Sequence, residues 1–320
     1  MITGTGRAAC HHGEIVQGVF LDRRGRPRQG LVTLPMAAPV TEAVFTPRPG
    51  TPAHRVEVHP PGRVKAARAA ALAAAECAAR RSRVCGGSLR LSGGAPTGLG
   101  LGSSTSDVTA AVRAVCAAFG VDPTPATVAR IAVKAEGASD PLMWEGGRAL
   151  LFAQREGRVL EDLGAPLPPM VVVGCLTGGG APVNTLGLRT RVDRDAAAVH
   201  ERLRTALRAA VAAQDAAEVG RIGTQSALLN QRVLPKPELG TIRGVARLSG
   251  AVGVQVAHSG NVAGVLFDAR ADGLGARIED ALERLRGAGL VPTRVFPTSP
   301  PTLGETTWTT TCARPLADRT

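Results

Sequence analysis

The segment of residues 96–119 constrains the fold of this 320-residue chain more than any other. Three glycines at alternate positions, Gly98, Gly100 and Gly102, lie directly before an apolar run with helical spacing. Glycine allows tight turns and the close approach of a ligand, so the segment predicts a turn that opens a helix at Ser103. A helix N-terminus presents free N–H groups and the positive end of its dipole. The segment therefore predicts an anion site suited to a phosphate.

Two common nucleotide-binding patterns are absent from the sequence. No G-x-x-x-x-G-K-[ST] occurs, and the glycine spacing does not fit the G-x-G-x-x-G pattern of dinucleotide-binding folds. Residues 96–105 instead resemble the phosphate loop of the GHMP kinases, P-x-x-x-G-L-G-S-S-A, with Thr105 in place of the usual alanine. A glycine-rich turn before a packed helix, without a ligand, is the alternative. The resemblance implies that nine loop residues contact ATP: Pro96, Gly98, Leu99, Gly100, Leu101, Gly102, Ser103, Ser104 and Thr105.

Composition narrows the class of protein. The formal charge of +12 suggests an anionic partner, but aromatic residues make up only 2% of the chain and tyrosine is missing. The basic residues are dispersed, so we expect a solvated surface, and nucleic acid is an unlikely partner. No apolar run is long enough to span a bilayer and the first residues lack an apolar signal segment, so we expect a cytoplasmic protein without a membrane partner.

A second motif lies near the start of the chain, where an interrupted strand contains the sequence Gly-Glu-Ile-Val-Gln-Gly at residues 13–18. It resembles the G-E-[LI]-x-Q-G pattern of one GHMP branch, the L-threonine kinases of cobalamin biosynthesis. Adjacent residues of a strand point to opposite faces, so His11 and His12 are not expected to share one metal. These histidines replace the small residues usual in that branch. The resemblance implies that substrate contacts Glu14, Gln17 and Gly18.

Two carboxylates follow the phosphate-loop helix. Thr124 and Pro125 predict the start of a second helix, which ends near Glu136. A carboxylate in the last turn of a helix interacts unfavourably with the helix dipole. Glu136 is therefore either part of a site or an exposed side chain at a frayed helix end. The GHMP resemblance implies that Glu136 and Ser104 bind Mg²⁺. Asp140 is the candidate base that orients the acceptor hydroxyl and takes its proton, or else an ordinary turn residue.

Two glycine-rich segments complete the motifs. Residues 178–185 follow a buried strand, and Gly260 lies at the bend between two β runs at residues 250–267. The sequence Ala-His-Ser-Gly at 257–260 resembles the C-terminal glycine motif of the threonine kinase branch. A plain flexible loop is the alternative for the first segment. The resemblance implies four further contacts with substrate: Thr185, His258, Ser259 and Gly260.

Together the motifs imply an α+β GHMP kinase fold. Its N-terminal lobe, residues 1–165, would resemble domain 2 of ribosomal protein S5, and its C-terminal lobe, residues 166–320, would be ferredoxin-like. The implied activity is phosphorylation of L-threonine or a related hydroxy amino acid with ATP and Mg²⁺. Another alcohol, such as a homoserine-like compound or a secondary-metabolite precursor, is the first alternative. An inactive nucleotide-binding or RNA-binding homologue is the second, and a homodimer stays open.

Overall fold

The computed structural model of the protein describes residues 2–96, 98–180, 194–258 and 260–298. Strands and helices alternate irregularly along these residues. The strands are β1 Gly4–Leu21, β2 Pro27–Pro47, β3 Val56–His59, β4 Gly87–Gly93, β5 Arg148–Ala153, β6 Arg158–Pro166, β7 Met170–Leu176, β8 Gly253–Val256, β9 Val262–Asp268 and β10 Pro292–Pro297. The helices are α1 Val64–Ala78, α2 Ser103–Ala118, α3 Pro125–Glu136, α4 Arg194–Ala213, α5 Ala216–Asn230, α6 Leu239–Leu248 and α7 Leu274–Gly287. None of the helices in this described part is long and apolar enough to cross a membrane.

One curled sheet connects the described strands in the order β10-β7-β9-β8-β1-β2-β4-β3, and the β5–β6 hairpin pairs with β2. The two sides of this sheet meet at a narrow junction, because β1 pairs with β8 only through Glu14 and Val256. Glu14 is also where the register of the β1–β2 pair shifts. Shifts of this kind twist a strand and re-aim its side chains. At this junction, Glu14 and its neighbours therefore depart from the regular hydrogen-bond pattern of the sheet.

Helix α2 packs closely against the first half of β1. A Cβ at Gly4 would lie 2.2 Å from the carbonyl oxygen of Ala114, and one at Gly6 would lie 2.2 Å from that of Ala110. These glycines allow the helix backbone to contact the strand directly. Helix α2 shares its core with α1 and α3, and alanine is frequent in that core. The N-terminus of α2 is thereby fixed against the sheet junction.

Helices α6 and α7 pack on the other half of the sheet. Their apolar faces, which include Ile242 and Leu282, share a core with β7 and β9. Helices α4 and α5 contact β1, and α5 also contacts β8. The helices thus pack on both halves of the sheet, and the turns near Glu14 lie beside the start of α2.

The pairing of strands β2 and β3 depends on other parts of the chain. The apolar runs between residues 30 and 47 belong to one long strand, β2, which pairs with β1 through several register shifts. Strand β3 pairs in parallel with β4, because α1 provides the crossover between them. The proposed boundary at residues 165 and 166 falls at the end of β6 and stays a prediction.

Candidate active site

The phosphate-loop glycines adopt the backbone conformation that the sequence predicts. The φ angles of Gly98, Gly100 and Gly102 are +82°, +86° and +66°, which are left-handed values that favour glycine. Helix α2 then begins at Ser103, and its N-cap residue, Gly102, has no side chain that could cap the first turn. The amides at the start of α2 are therefore available to an anion.

The chain itself occupies the space beside two of these glycines. A Cβ at Gly100 would lie 2.6 Å from the Cβ of Ala257 and 2.9 Å from the Cα of Gly260, and one at Gly102 would lie 2.2 Å from the imidazole of His11. Close approach to a ligand was the reason expected for these glycines. The structure adds an internal reason, because the loop is packed between β1 and the turn that joins β8 to β9.

Ser104 and Glu136 are in direct contact. The Ser104 hydroxyl donates to Oε2 of Glu136 over 2.7 Å. Helix α3 places Glu136 because Thr124 caps its start and Gly137, with a φ of +87°, ends it immediately after the glutamate. Burial raises the pKa of Glu136 to about 7, and the nearby Asp140 adds to this effect while the Ser104 and Thr105 hydroxyls oppose it.

Thr105 connects Glu136 to Asp140. Its hydroxyl lies 2.9 Å from Oε1 of Glu136 and 3.2 Å from Oδ2 of Asp140, so one donor is shared between two carboxylates. Nε2 of His11 lies 3.0 Å from the same Oδ2 of Asp140. Asp140 therefore has a hydroxyl on one side and an imidazole on the other, and its side chain is 13% exposed.

The His11–Asp140 contact is an ion pair. Burial would lower the pKa of His11, but Asp140, and to a smaller extent Glu14, raise it to about 9. Burial would likewise raise the pKa of Asp140, but the charge and hydrogen bond of His11 hold it at about 2. Between these values the histidine is protonated and the aspartate ionised.

A second acid and histidine extend this cluster. The backbone N–H and Nδ1 of His258 lie 2.6 Å and 3.2 Å from the two carboxylate oxygens of Glu14. Nδ1 of His11 lies 3.8 Å from Oε1 of Glu14. Burial would lower the pKa of His258, but Glu14 raises it. Strand β1, the loop after α3 and the β8–β9 turn thus supply alternating acids and histidines.

Two groups in the described residues have the chemistry to hold a cation. Glu136 is buried and accepts hydrogen bonds from the hydroxyls of Ser104 and Thr105, and carboxylate and hydroxyl oxygens suit Mg²⁺. The raised pKa of Glu136 agrees with a carboxylate that lacks a compensating positive charge. Ligand atoms of His11, Glu14 and Asp140 lie within 4.8 Å of one another, but His11 already neutralises Asp140. The residues present fit Mg²⁺ best at Ser104 and Glu136.

Other predicted site residues lie elsewhere or outside the described part. Gln17 donates through Nε2 to the carbonyl of Val256 in β8, and the imidazole of His200 in α4 lies beside Gly18. Thr185 and Ser259 lie outside the described residues. Leu99 and Leu101 accept backbone hydrogen bonds from Asn261 and His11, and Pro96 precedes them in the loop. The predicted ligand contacts of all these residues stay predictions.

Three features of the cluster were missed in the sequence. His11 was considered only as a metal ligand, and the structure places it against Asp140, whereas His12 lies on the other side of β1 against Phe296. The bridging role of Thr105 was signalled by its departure from the alanine usual in GHMP loops. Lys236 is buried and donates to the carbonyl of Gly260. Its signal was the scarcity of lysine, which occurs at only three positions in the chain.

A cavity of about 460 Å³ adjoins the residues that follow Asp140. Strands β1 and β2 form one wall, and the loop containing Leu142 and Trp144 forms another. Arg7, Arg113 and Glu145 also line it, and most of its other lining residues are apolar. Its volume lies in the range typical of small-molecule sites.

Comparisons with known proteins concern the family and the fold. Residues 65–143 match the family model of the GHMP kinases N terminal domain, which spans the loop and both carboxylates, Glu136 and Asp140. No curated protein matches the sequence.

Solved structures share the fold across almost the whole chain. Homoserine kinase from Cytophaga hutchinsonii has a TM-score of 0.67 at 14% identity, with 93% of this chain and 94% of that chain covered. Phosphomevalonate kinase from Streptococcus pneumoniae, in complex with phosphomevalonate and AMPPNP, has a TM-score of 0.67 at 13% identity, with coverage of 93% and 100%. A complex with MVAPP, AMPPCP and magnesium has a TM-score of 0.60 at 14% identity, with coverage of 92% and 97%.

The fold and the matched domain define a class, that of α+β proteins with the GHMP kinase architecture, and the predicted fold class is confirmed. Residues 65–143 thus match a domain of the GHMP kinases, and almost the whole chain shares their fold. The match agrees with the predicted enzyme class, that of the ATP-dependent kinases that phosphorylate alcohol groups. The resemblance to the threonine kinase branch stays a prediction.

Proposed function

We propose that this protein transfers the γ-phosphoryl group of ATP to the side-chain hydroxyl of L-threonine or a related hydroxy amino acid, with Mg²⁺ as cofactor. The single observation that carries the proposal is the contact between Ser104 and Glu136 at the start of α2, where the Thr105 hydroxyl also connects Glu136 to Asp140. This arrangement combines a phosphate site, a cation site and a carboxylate for the acceptor hydroxyl.

Each group of residues has a separate role in the proposed phosphoryl transfer. The loop amides and the α2 dipole would hold the phosphates of ATP, while Ser104 and Glu136 would hold Mg²⁺. When bound, Mg²⁺ neutralises charge on the phosphate oxygens during transfer. Asp140 would accept a hydrogen bond from the acceptor hydroxyl and receive its proton as the new O–P bond forms, while the bond between the γ-phosphorus and the bridging oxygen breaks and ADP leaves. Because the transition state is loose, positioning matters more than base strength, which agrees with the low pKa of Asp140.

Support for a hydroxy amino acid as the acceptor comes from the motifs at residues 13–18 and 257–260, whose sequences resemble those of the threonine kinase branch. The structure places Glu14 and His258 from these two motifs in contact, beside His11 and Asp140. The similarity to a homoserine kinase also favours an amino acid acceptor.

A larger alcohol is the second candidate. The cavity of about 460 Å³ beside Pro141 and Leu142 exceeds what threonine requires, and its apolar lining would suit an acceptor with an apolar body. Similar structures include a mevalonate kinase in complex with R-mevalonate, an alcohol larger than threonine.

A substrate screen separates these candidates. Mg²⁺-dependent ADP release is measured with threonine, serine, homoserine and larger alcohols, and the phosphorylated product is identified by mass. We expect the highest kcat/KM with a hydroxy amino acid. Preference for a larger alcohol would select the second candidate. Tight binding of ATP without any product would indicate an inactive homologue, and salt-sensitive RNA binding without transfer would indicate the nucleic-acid alternative.

Substitution of Asp140 tests the mechanism. We expect Asp140→Asn to lower kcat by about 10²-fold or more, because the acceptor loses its proton acceptor and His11 loses its counter-ion. Asp122→Asn, at an exposed position, is the matched control and should retain full activity. Near-native turnover of Asp140→Asn would remove Asp140 from the mechanism.

A further inference from the structure

The chain has three lysines, all in the described part, and Lys236 is the one that is buried. It lies next to the phosphate loop. Lys236 is 4% exposed and stands in the turn before α6, where its backbone N–H donates to the side chain of Gln231. Burial lowers the pKa of Lys236 to about 8, against the opposing charges of Glu14 and Glu238. Burying an ammonium group is unfavourable unless specific interactions compensate, so this position calls for an explanation.

The ammonium group bonds to one peptide unit in the β8–β9 turn. Nζ of Lys236 donates to the carbonyl of Gly260, and the N–H of Asn261, which belongs to the same peptide unit, donates to the carbonyl of Leu99 over 2.9 Å. The loop and the turn also touch directly, since a Cβ at Gly260 would lie 2.3 Å from both N and Cα of Gly100. A single peptide unit therefore connects Lys236 to the phosphate loop.

The connection continues to a loop amide. The carbonyl of Leu99 and the N–H of Gly100 belong to one trans peptide unit, so they point in opposite directions. When a positive charge bonds the first carbonyl of a hydrogen-bond chain, each following bond is polarised and strengthened, by about 10–30% per bond. The chain from Lys236 thus ends at the N–H of Gly100, which points away from the turn.

We propose that Lys236 is a positioning residue for nucleotide binding, which fixes and polarises the phosphate loop through the peptide units 260–261 and 99–100. The proposal rests on the proposed function, because it takes the loop to be the ATP site. It explains how a phosphate loop without a lysine of its own gains the effect of one, supplied from the C-terminal half of the chain without contact with the phosphate.

The test compares two lysine substitutions. Lys236→Met should raise the dissociation constant of AMPPNP with Mg²⁺ about tenfold and speed amide hydrogen exchange at residues 98–102. Lys236→Arg, which keeps the charge, should restore part of the affinity. Lys134→Met makes the same chemical change at an exposed position of α3 and should bind like the wild type. Unchanged affinity and exchange in Lys236→Met would overturn the proposal.

A glycine substitution tests the same connection without changing the lysine. Gly260→Ala would force the turn away from Gly100 and should weaken AMPPNP binding, even if Lys236→Met fails to fold. Gly240→Ala is the control, because a Cβ there meets nothing within 4 Å. Normal binding by a folded Gly260→Ala variant would overturn the proposal. If the wild type itself fails to bind AMPPNP, the proposed function fails first, and this inference falls with it.

Discussion

A single hydroxyl holds together the two carboxylates on which the proposed chemistry depends. Thr105 donates to both Glu136 and Asp140, and it is 3% exposed, so water does not readily replace it. GHMP loops usually have alanine at this position. Thr105 is therefore a bridge between the candidate metal ligand and the candidate base, and this bridge can be removed without enlarging the side chain.

We expect Thr105→Ala to fold but to need several-fold more Mg²⁺ for half-maximal activity. Loss of the hydroxyl removes a hydrogen bond that favours the ionised form of Glu136, so its pKa rises further and Mg²⁺ competes with a proton. Thr105→Ser keeps the donor and is the control. Measurement of rate against Mg²⁺ concentration at pH 7 checks this, and identical curves for all three proteins would contradict it.

The His11–Asp140 pair predicts a specific dependence of stability on pH. The pKa of His11 is raised from 6.5 to about 9, so its contribution is fully present below pH 6.5 and is lost as the pH rises towards 9. The pKa of Asp140 is lowered from 3.8 to about 2, so its contribution is lost only as the pH falls below 3.8. Glu14 and His258 also lie beside the pair, so a comparison with a variant is needed.

We expect the free energy of unfolding of the wild type to fall by up to about 3 kcal/mol more than that of His11→Gln between pH 6.5 and 9. Glutamine keeps a hydrogen-bond donor near Asp140 but has no charge to lose. Urea denaturation at several pH values measures the difference. Parallel curves for the two proteins would show that His11 is not protonated in the folded state.

At the scale of elements, local signals identified the helices and distant contacts decided the sheet. The cap at Thr124 and the glycine at 137 fixed α3, and the glycines before Ser103 fixed the start of α2, so Ser104 and Glu136 could be named from the sequence. The parallel pairing of β3 with β4 depends on how α1 crosses the sheet, which no local pattern records.

Contacts between distant segments also explain what the sequence could not supply at the site. The pairing of His11 with Asp140 spans 129 residues, and it requires the register shifts in β1 that re-aim the side chain. Lys236 reaches Gly260 only because α5 and α6 place the turn between them against the β8–β9 turn. The sequence identified the residues with reactive or charged side chains, but only the fold showed which of these side chains are in contact.

The contact between β1 and α2 predicts a stability effect at this scale. Gly6→Ala would place a Cβ 2.2 Å from the carbonyl oxygen of Ala110, so we expect it to destabilise the protein by about 2 kcal/mol or more. Gly287→Ala, at the end of α7, meets nothing within 4 Å and should change stability by less than about 0.5 kcal/mol. Equal thermal unfolding of the two variants would contradict the close packing of α2.

At the scale of the whole molecule, the phosphate loop lies where three distant parts of the chain meet. Strand β1 holds Leu101 through the N–H of His11, and the β8–β9 turn holds Leu99 through Asn261. The end of α3 contacts Ser104. The site is therefore a property of the complete fold, which agrees with structural similarity that extends over 93% of the chain.

The central claim is that Ser104 and Glu136 hold the metal of a nucleotide whose phosphates lie on the loop before α2. A crystal structure of the complex with AMPPNP and Mn²⁺, with anomalous scattering to locate the metal, tests this most directly. We predict a metal peak within about 2.2 Å of Ser104 Oγ and a Glu136 oxygen, with the γ-phosphate facing Asp140. A metal and phosphates bound away from these residues would contradict the account.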